Sequence, residues 1–168
     1  PNHILGAHFY WHSSKAFPLA DLAPLIKIVS GWAPSAYGLE MPSASDPKWK
    51  PGAEWNLAVE WSAALRDPLY KTVTVVTRLP LLLFPLALAT LVWWWGRREW
   101  GAAAGLLAAA VVAFDPTLLG HGVLVKNDVA SALGYTAFWL AAWRFWQVPR
   151  GRTVAWLAGA TVLGISAK

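Results

Sequence analysis

The side chains best suited to chemistry lie in one short segment between two apolar runs, Ala113–Asp128, which reads AFDPTLLGHGVLVKND. Asp128 could orient a substrate hydroxyl or bind a metal, Lys126 supplies a cation, and His121 lies between two glycines. The apolar runs on either side carry no charged side chain. Ionisable groups held at a membrane boundary are costly and are therefore candidates for function. The segment predicts a working surface at one face of a bilayer.

Each polar residue of this segment also has a purely structural interpretation. Either Asn127 or Asp128 is a good helix N-cap. His121 would satisfy a local hydrogen bond, and Asp115 before Pro116 is common turn chemistry. The sequence leaves these alternatives open.

Three more charged residues are candidates outside this segment. Arg78 interrupts the approach to the apolar run Leu79–Trp95. It either snorkels to the membrane interface or holds a phosphate, which the rigid guanidinium fork suits. Asp21 and Lys27 flank Pro24 and would ordinarily form the solvated side of an interfacial helix.

A metal site is not predicted. His8 and His12 lie one helical turn apart, a spacing that suits two ligands of one metal ion. His3 is also nearby, but no further metal ligand lies close to these histidines in sequence. The absence of cysteine excludes disulfides and thiolate metal sites. No cofactor is indicated, although a divalent metal stays open. Nucleotide-binding and metalloprotease motifs are absent from the sequence.

The composition indicates a membrane protein. Hydrophobic residues make up 57% of the chain and charged residues only 14%, against about 25% charged in soluble domains. The net charge of +5 is carried by scattered basic residues, so nucleic acid is not predicted as a partner.

The chain has two zones. Residues 1–71 are mixed and rich in proline and acidic side chains, and are predicted to form an outer-face loop. Residues 72–168 are predicted to form transmembrane helices at about 73–95, 100–118, 127–147 and 153–168. Because the chain begins without methionine and stops directly after an apolar run, we expect a piece of a longer protein, truncated at both ends.

The charged turns predict the orientation. Arginines occupy the turn after the first apolar run and the turn after the third, and the positive-inside rule places both turns in the cytoplasm. Most tryptophans lie near the same ends, as in an interfacial aromatic belt. The outer-face loop and Ala113–Asp128 then face the periplasm, in a multi-pass plasma (inner) membrane protein.

The outer-face loop is predicted to contain two helices that lie on the membrane. In Leu19–Val29 the apolar side chains share one face, and in Glu54–Leu65 they recur at helical spacing as Leu57, Trp61, Ala64 and Leu65. Gly31–Gly52 is rich in Pro, Gly and Ser and is predicted to be an irregular loop. The predicted fold class is an all-α integral membrane protein, a multi-pass helical bundle.

Ala113–Asp128, with Thr77–Leu88 before it and Trp143–Lys168 after it, resembles the polyprenyl-phosphate-sugar-dependent glycosyltransferases of the GT-C fold. This family is related to protein O-mannosyltransferases and to the aminoarabinose transferases of lipid A. The resemblance rests on residues that recur in this order, here Phe114, Asp115, Pro116, Leu118, Leu119, His121 and Asp128.

The resemblance implies a reaction at the outer face. A sugar passes from a polyprenyl-phosphate carrier, with inversion and by general-base catalysis, to a hydroxyl acceptor that is a protein, a lipid or a glycan. The family's acidic pair precedes a histidine that matches His3, so the base itself is expected upstream of Pro1. The chain alone is then expected to be inactive.

Further site residues follow from the same resemblance. The family's His-Pro-Pro-Leu-x-Lys motif, with a preceding acid, matches Asp21–Lys27, although Leu22 and Ala23 replace its histidine and first proline. Arg78 matches an arginine near the lipid phosphate. The implied substrate-binding residues are Asp21, Lys27, Arg78, His121 and Lys126, and Asp128 is the catalytic residue within the chain.

Two other functions are compatible with the sequence. One is a non-catalytic membrane subunit of similar architecture that serves in assembly or binding. The other is a transporter, which would need broken helices and polar residues near mid-membrane. The transporter ranks last because the apolar runs carry no charge in their interiors.

Overall fold

A computed structural model of the protein describes residues 2–12, 23–39, 54–65 and 67–168, and every regular element in these ranges is a helix. The predicted all-helical class is confirmed for this part of the chain. Two compact units are formed, Pro1–Leu81 and Leu82–Lys168. The boundary between them lies about ten residues after residue 71, where the composition changes.

The first unit contains helices that are packed around a small apolar core. They are α1 (Asn2–His12), α2 (Pro24–Ala36), α3 (Glu54–Ala64) and α4 (Leu69–Arg78). Leu5 of α1, Ile26 of α2 and Val73 of α4 are almost completely buried. The Trp11 indole N–H lies 3.2 Å from the carbonyl oxygens of both Lys27 and Ile28, which ties α1 to α2.

Helix α2 corrects the prediction of an irregular loop from Gly31 onward. It begins at Pro24, whose fixed φ suits the first helical position, and continues to Ala36. Packing explains the extension, because Gly31 lies so close to Ala7 and Trp11 that a side chain would not fit. Tertiary contact thus outweighs the local preference of a Pro- and Gly-rich sequence. Residues 19–22 and 40–52 of the two predicted segments lie outside the described residues.

Helix α3 forms where predicted, but its buried face is rotated. Leu57, Ala58 and Trp61 are buried while Ala64 is exposed. The buried face packs against α1, so part of the apolar surface assigned to the membrane is used within the unit.

The second unit consists mainly of two helical hairpins. Its helices are α5 (Leu83–Trp100), α6 (Ala102–Ala113), α7 (Pro116–Gly122), α8 (Asp128–Gln147) and α9 (Gly151–Ser166). Helices α5 and α6 form one hairpin, α8 and α9 form the other, and α5 also packs against α8.

Glycine allows close backbone contact in both hairpins. Gly101 turns the chain between α5 and α6 at φ 92° and ψ 173°, a region that only glycine populates readily. A Cβ at Gly105 would lie 2.5 Å from the Arg97 nitrogen, and one at Gly134 would lie 2.7 Å from the Gly164 Cα. Small residues at such crossings are characteristic of helix pairs in membranes.

The exterior of the second unit is apolar. In α6 only Gly105 is buried, whereas Leu106, Leu107 and Val111 are about two-thirds exposed. Among the described residues one helical stretch, Leu69–Trp100, is long and apolar enough to cross a membrane, and only 17% of its most apolar window is buried. A core helix of a soluble protein would be mostly buried, so the exposure favours association with a membrane.

The predicted spanning segment 100–118 is broken. Helix α6 ends at Ala113, and α7 continues from Pro116 at an angle of 58°. Pro116 has no N–H to donate to the preceding turn and disfavours helical conformation at Asp115, which explains the break.

Candidate functional site

Asp115 is the N-cap of α7. Its Oδ1 accepts a hydrogen bond of 2.8 Å from the Leu118 N–H, and Pro116 occupies the first turn. Asp115 therefore has the structural role that Asp-Pro turn chemistry predicts, and its carboxylate is already engaged.

His121 is held by its own helix. Its Nδ1 lies 2.9 Å from the Thr117 carbonyl oxygen. A carbonyl oxygen only accepts, so Nδ1 carries the hydrogen of this bond. The ring is half-exposed, and its Nε2 is left to contact a ligand.

The connection from α7 to α8 is anchored on both sides of Lys126. Gly122 contacts Pro85 of α5 so closely that a Cβ there would lie 3.3 Å from the proline Cγ. Val125 is buried, whereas Lys126 is exposed. The connection is fixed by packing, and it presents the ammonium group outward.

Asp128 opens α8 with its carboxylate exposed. Among the described residues it has no hydrogen-bonded or ionic partner, and the Asn127 side chain does not cap the helix. Helix capping by a side chain therefore accounts for neither residue. The exposed carboxylate is therefore free to accept a hydrogen bond from a substrate hydroxyl.

The fold brings Lys168 to the same end of the second unit as Asp128. The Ser131 hydroxyl donates a 2.9 Å hydrogen bond to the Ala167 carbonyl, which ties the start of α8 to the end of α9. The Lys168 ammonium lies 5.8 Å from the Tyr135 ring centre. Asp128, Ser131 and Tyr135 share one face of α8, being three and seven residues apart.

An apolar cleft of about 530 Å³ leads away from Lys168 between α8 and α9. Lys168 and Tyr135 lie at its outer end, and Phe138, Trp139 and Ile165 line it further in. Lys168 has no local sequence signal, because its neighbour Tyr135 is more than thirty residues away along the chain.

Arg78 and Lys27 belong to the first unit. Arg78 ends α4, and its Nε is buried without a hydrogen-bond partner among the described residues. A buried guanidinium nitrogen ordinarily donates a hydrogen bond, and a phosphate oxygen is a suitable acceptor for it. Lys27 is half-buried in α2, and Asp21 lies outside the described residues.

The described ranges contain no group of three acidic or histidine side chains that could hold a metal. The side chains of His3, His8 and His12, which the sequence offers as alternative ligands, lie outside the described part of the chain.

The arginine turns lie together at the other end of the second unit. Arg98 of α5, Arg144 of α8, and Arg150 and Arg152 around the start of α9 line one groove of about 300 Å³. The 20-residue helix α8 separates this end from Asp128 by about 30 Å. One end of the unit is therefore strongly cationic, and the other combines His121, Lys126, Asp128 and Lys168.

Comparison of the chain with protein-family models, with curated proteins and with solved structures found no match. The described residues define a class of protein. It is helical, its second unit has an apolar exterior, and the two ends of that unit differ in chemistry. The function is argued from those residues.

Proposed function

We propose that this chain acts in a multi-pass membrane glycosyltransferase that moves a sugar from a polyprenyl-phosphate carrier to a hydroxyl acceptor at the outer face. One observation carries the proposal: Asp128 is exposed and unpartnered among the described residues, at the end of the second unit that also presents His121, Lys126 and Lys168. The resemblance of Ala113–Asp128 to GT-C transferases supplies the reaction class.

The lengths of the helices support a membrane location. Helix α8 has 20 residues, which corresponds to about 30 Å and to the thickness of the hydrocarbon core. It carries its charges at its ends, Asp128 in the first turn and Arg144 in the last.

The break after α6 supports a cavity at headgroup depth. Helix α6 has 12 residues and rises about 18 Å, which is less than the hydrocarbon thickness. If α6 starts at the arginine end, then Asp115 and α7 lie within the outer half of the bilayer. A carrier with a lipid tail and a phosphate at the interface requires polar groups at such a depth.

The proposed chemistry divides the work between carboxylates and cations. Asp128 orients the acceptor hydroxyl, and a general base removes its proton. The acceptor oxygen forms a bond to the anomeric carbon as the bond from that carbon to the phosphate oxygen breaks, which inverts the configuration. The bonding electrons leave with the polyprenyl phosphate. General-base catalysis of this kind contributes about 10²–10⁴-fold.

The cations stabilise the departing phosphate, an electrostatic contribution that is often the largest. Lys126 and Lys168 supply positive charge on the second unit, and the cleft beyond Lys168 suits a polyprenyl chain. The same resemblance proposes Arg78, Asp21 and Lys27 of the first unit as substrate-binding residues. Of these, Arg78 has a buried guanidinium nitrogen without a hydrogen-bond partner among the described residues.

The first test is the change Asp128→Asn, which removes the charge and keeps the shape. Membranes from cells that express the encoding gene would be supplied with a panel of radiolabelled undecaprenyl-phosphate sugars. We expect transfer to fall by about 10²-fold in the variant, because the acceptor hydroxyl is no longer held in position. The matched control is Glu99→Gln, an equivalent change at the arginine end, which should leave transfer unchanged.

Full activity in Asp128→Asn would remove this residue from the site. If the wild type binds polyprenyl phosphate but transfers no sugar of the panel, the non-catalytic binding subunit becomes the better assignment.

A further inference from the structure

The arginine groove at the end of the unit remote from Asp128 takes no part in the proposed reaction. Its four guanidinium groups come from the end of α5 and from the turn that joins α8 to α9. Among the described residues none of them pairs with a carboxylate, and Arg144 donates a 3.2 Å hydrogen bond to the Gln147 amide oxygen. Four adjacent unpaired cations favour an anionic ligand.

A pair of tryptophans in contact fixes the arginines in position. Trp94 of α5 and Trp156 of α9 meet edge to face, with ring centres 6.1 Å apart. The Arg98 guanidinium lies 5.7 Å from the Trp94 ring centre, and that of Arg152 lies 5.3 Å from the Trp156 ring centre. The tryptophan pair therefore holds one arginine from each helix at the same groove before any ligand binds.

The turn between α8 and α9 is also fixed. The Thr153 hydroxyl oxygen accepts a 3.0 Å hydrogen bond from the Arg150 N–H, and it lies 2.8 Å from the Val148 carbonyl oxygen. This places Arg150 and Arg152 on a defined turn rather than on a free loop, so the cost of ordering them on binding is reduced.

An apolar cleft continues directly from the arginine groove. The cleft has a volume of about 420 Å³ and lies between α5, α8 and α9. Arg98, Arg144 and Trp156 line both the groove and the cleft, so the two are continuous. Further in, Leu91 and Leu163 make the walls apolar.

Glu99 is the acidic side chain that lines this cleft, and it forms no ion pair with the described arginines. The net charge of the groove and cleft together is therefore positive.

We propose that this groove and cleft form a binding site for an anionic phospholipid. The headgroup phosphate binds the arginines, and one acyl chain occupies the apolar cleft. A soluble phosphate would use the arginines but not the cleft, whereas an uncharged lipid would use the cleft but not the arginines. Basic pockets between membrane helices on the cytoplasmic side bind lipid headgroups by this chemistry. The inference rests on the proposed membrane location and is independent of the transferase reaction.

The test is native mass spectrometry of the full chain in detergent, with phosphatidylglycerol, phosphatidylcholine or glycerol phosphate at equal concentrations. We expect one phosphatidylglycerol to be retained at least about tenfold more strongly than the other two, with a preference that falls as salt is raised. Equal retention of phosphatidylcholine, or full competition by glycerol phosphate, would overturn the proposal.

Arginine variants separate a built site from general surface charge. The double change Arg150→Gln and Arg152→Gln should reduce retention of phosphatidylglycerol by about tenfold or more. Arg97→Gln is the matched control, since Arg97 is next to Arg98, stacks on Trp93 and does not line the groove. An equal loss in Arg97→Gln would show only diffuse attraction and would contradict the site.

A second pair of variants tests the cleft. Gly159 lines the cleft, and a Cβ added there would have no other atom within 4 Å, so the side chain of Gly159→Leu starts in open space at the cleft. We expect this change to reduce lipid retention, whereas Ala158→Leu, on the exposed neighbouring position, should not. Unchanged retention in Gly159→Leu would overturn the acyl-chain assignment. Because no sugar transfer is measured, failure here leaves the proposed transferase function standing.

Discussion

At the residue scale, two aspartates at helix starts differ in what their carboxylates can do. Asp115 has extended backbone angles, φ −61° and ψ 123°, which direct its side chain at the free N–H groups of α7. The residue before Asp128, Asn127, has helical angles, φ −84° and ψ −8°, and its side chain makes no cap. The Asp115 carboxylate is therefore used to cap α7, whereas the Asp128 carboxylate is free to bind a ligand.

This difference predicts unequal effects on stability. Asp115→Ala should lower the free energy of unfolding by about 1 kcal/mol through loss of the cap. Asp128→Ala should change it by no more than about 0.5 kcal/mol, the usual range for exposed positions. The measurement is unfolding of the chain in mixed micelles of denaturing and mild detergent. A larger loss for Asp128→Ala would mean that its carboxylate is structural.

At the element scale, the two hairpins depend on glycines at the helix crossings. The approach at Gly134 and Gly164 brings α8 and α9 into backbone contact, and the adjacent bond from Ser131 to Ala167 then positions Lys168. The geometry of the proposed site thus depends on a helix crossing at glycines, which have no polar side chain.

The crossing predicts opposite effects for two alanine substitutions in helices. Gly159→Ala should raise the free energy of unfolding by up to about 1 kcal/mol, because alanine favours helix and the position is open. Gly134→Ala should lower it by about 1–3 kcal/mol, since the new Cβ forces α8 and α9 apart. Thermal unfolding in detergent measures both. The same stabilising effect in the two variants would show that the helices are not in contact there.

At the scale of the whole molecule, the second unit is polarised along its helices. Its arginines and most of its tryptophans gather at one end, and Asp128 and Lys126 lie at the other, with an apolar exterior between them. That distribution matches a bilayer, in which the ends of the helices meet two chemically different surfaces.

The polarity predicts a topology that can be measured directly. The chain has no cysteine, so single-cysteine variants carry no background. In intact cells a membrane-impermeant maleimide should label Lys126→Cys. It should label Gln147→Cys, at the far end of α8, only after the membrane is permeabilised. Labelling of both positions in intact cells, or the reverse pattern, would contradict the proposed span and orientation.

Local chemistry in the sequence was enough to predict the helical class, the apolar runs and the turn at Asp115. These features depend on composition and on residues close together in the chain. The break before Pro116 was not predicted, since 100–118 was expected to form one span, although the missing N–H of proline explains it.

Only the tertiary structure decided which residues meet. It extended α2 through Gly31 and Pro34, rotated the buried face of α3 and placed Lys168 beside Tyr135. It also brought Arg98 of α5 beside the arginines of the turn between α8 and α9. The bond from Ser131 to Ala167 joins residues 36 positions apart. Such contacts depend on how closely two helices can approach each other. The shapes of both helix surfaces set that distance, and the spacing of residues along one helix does not.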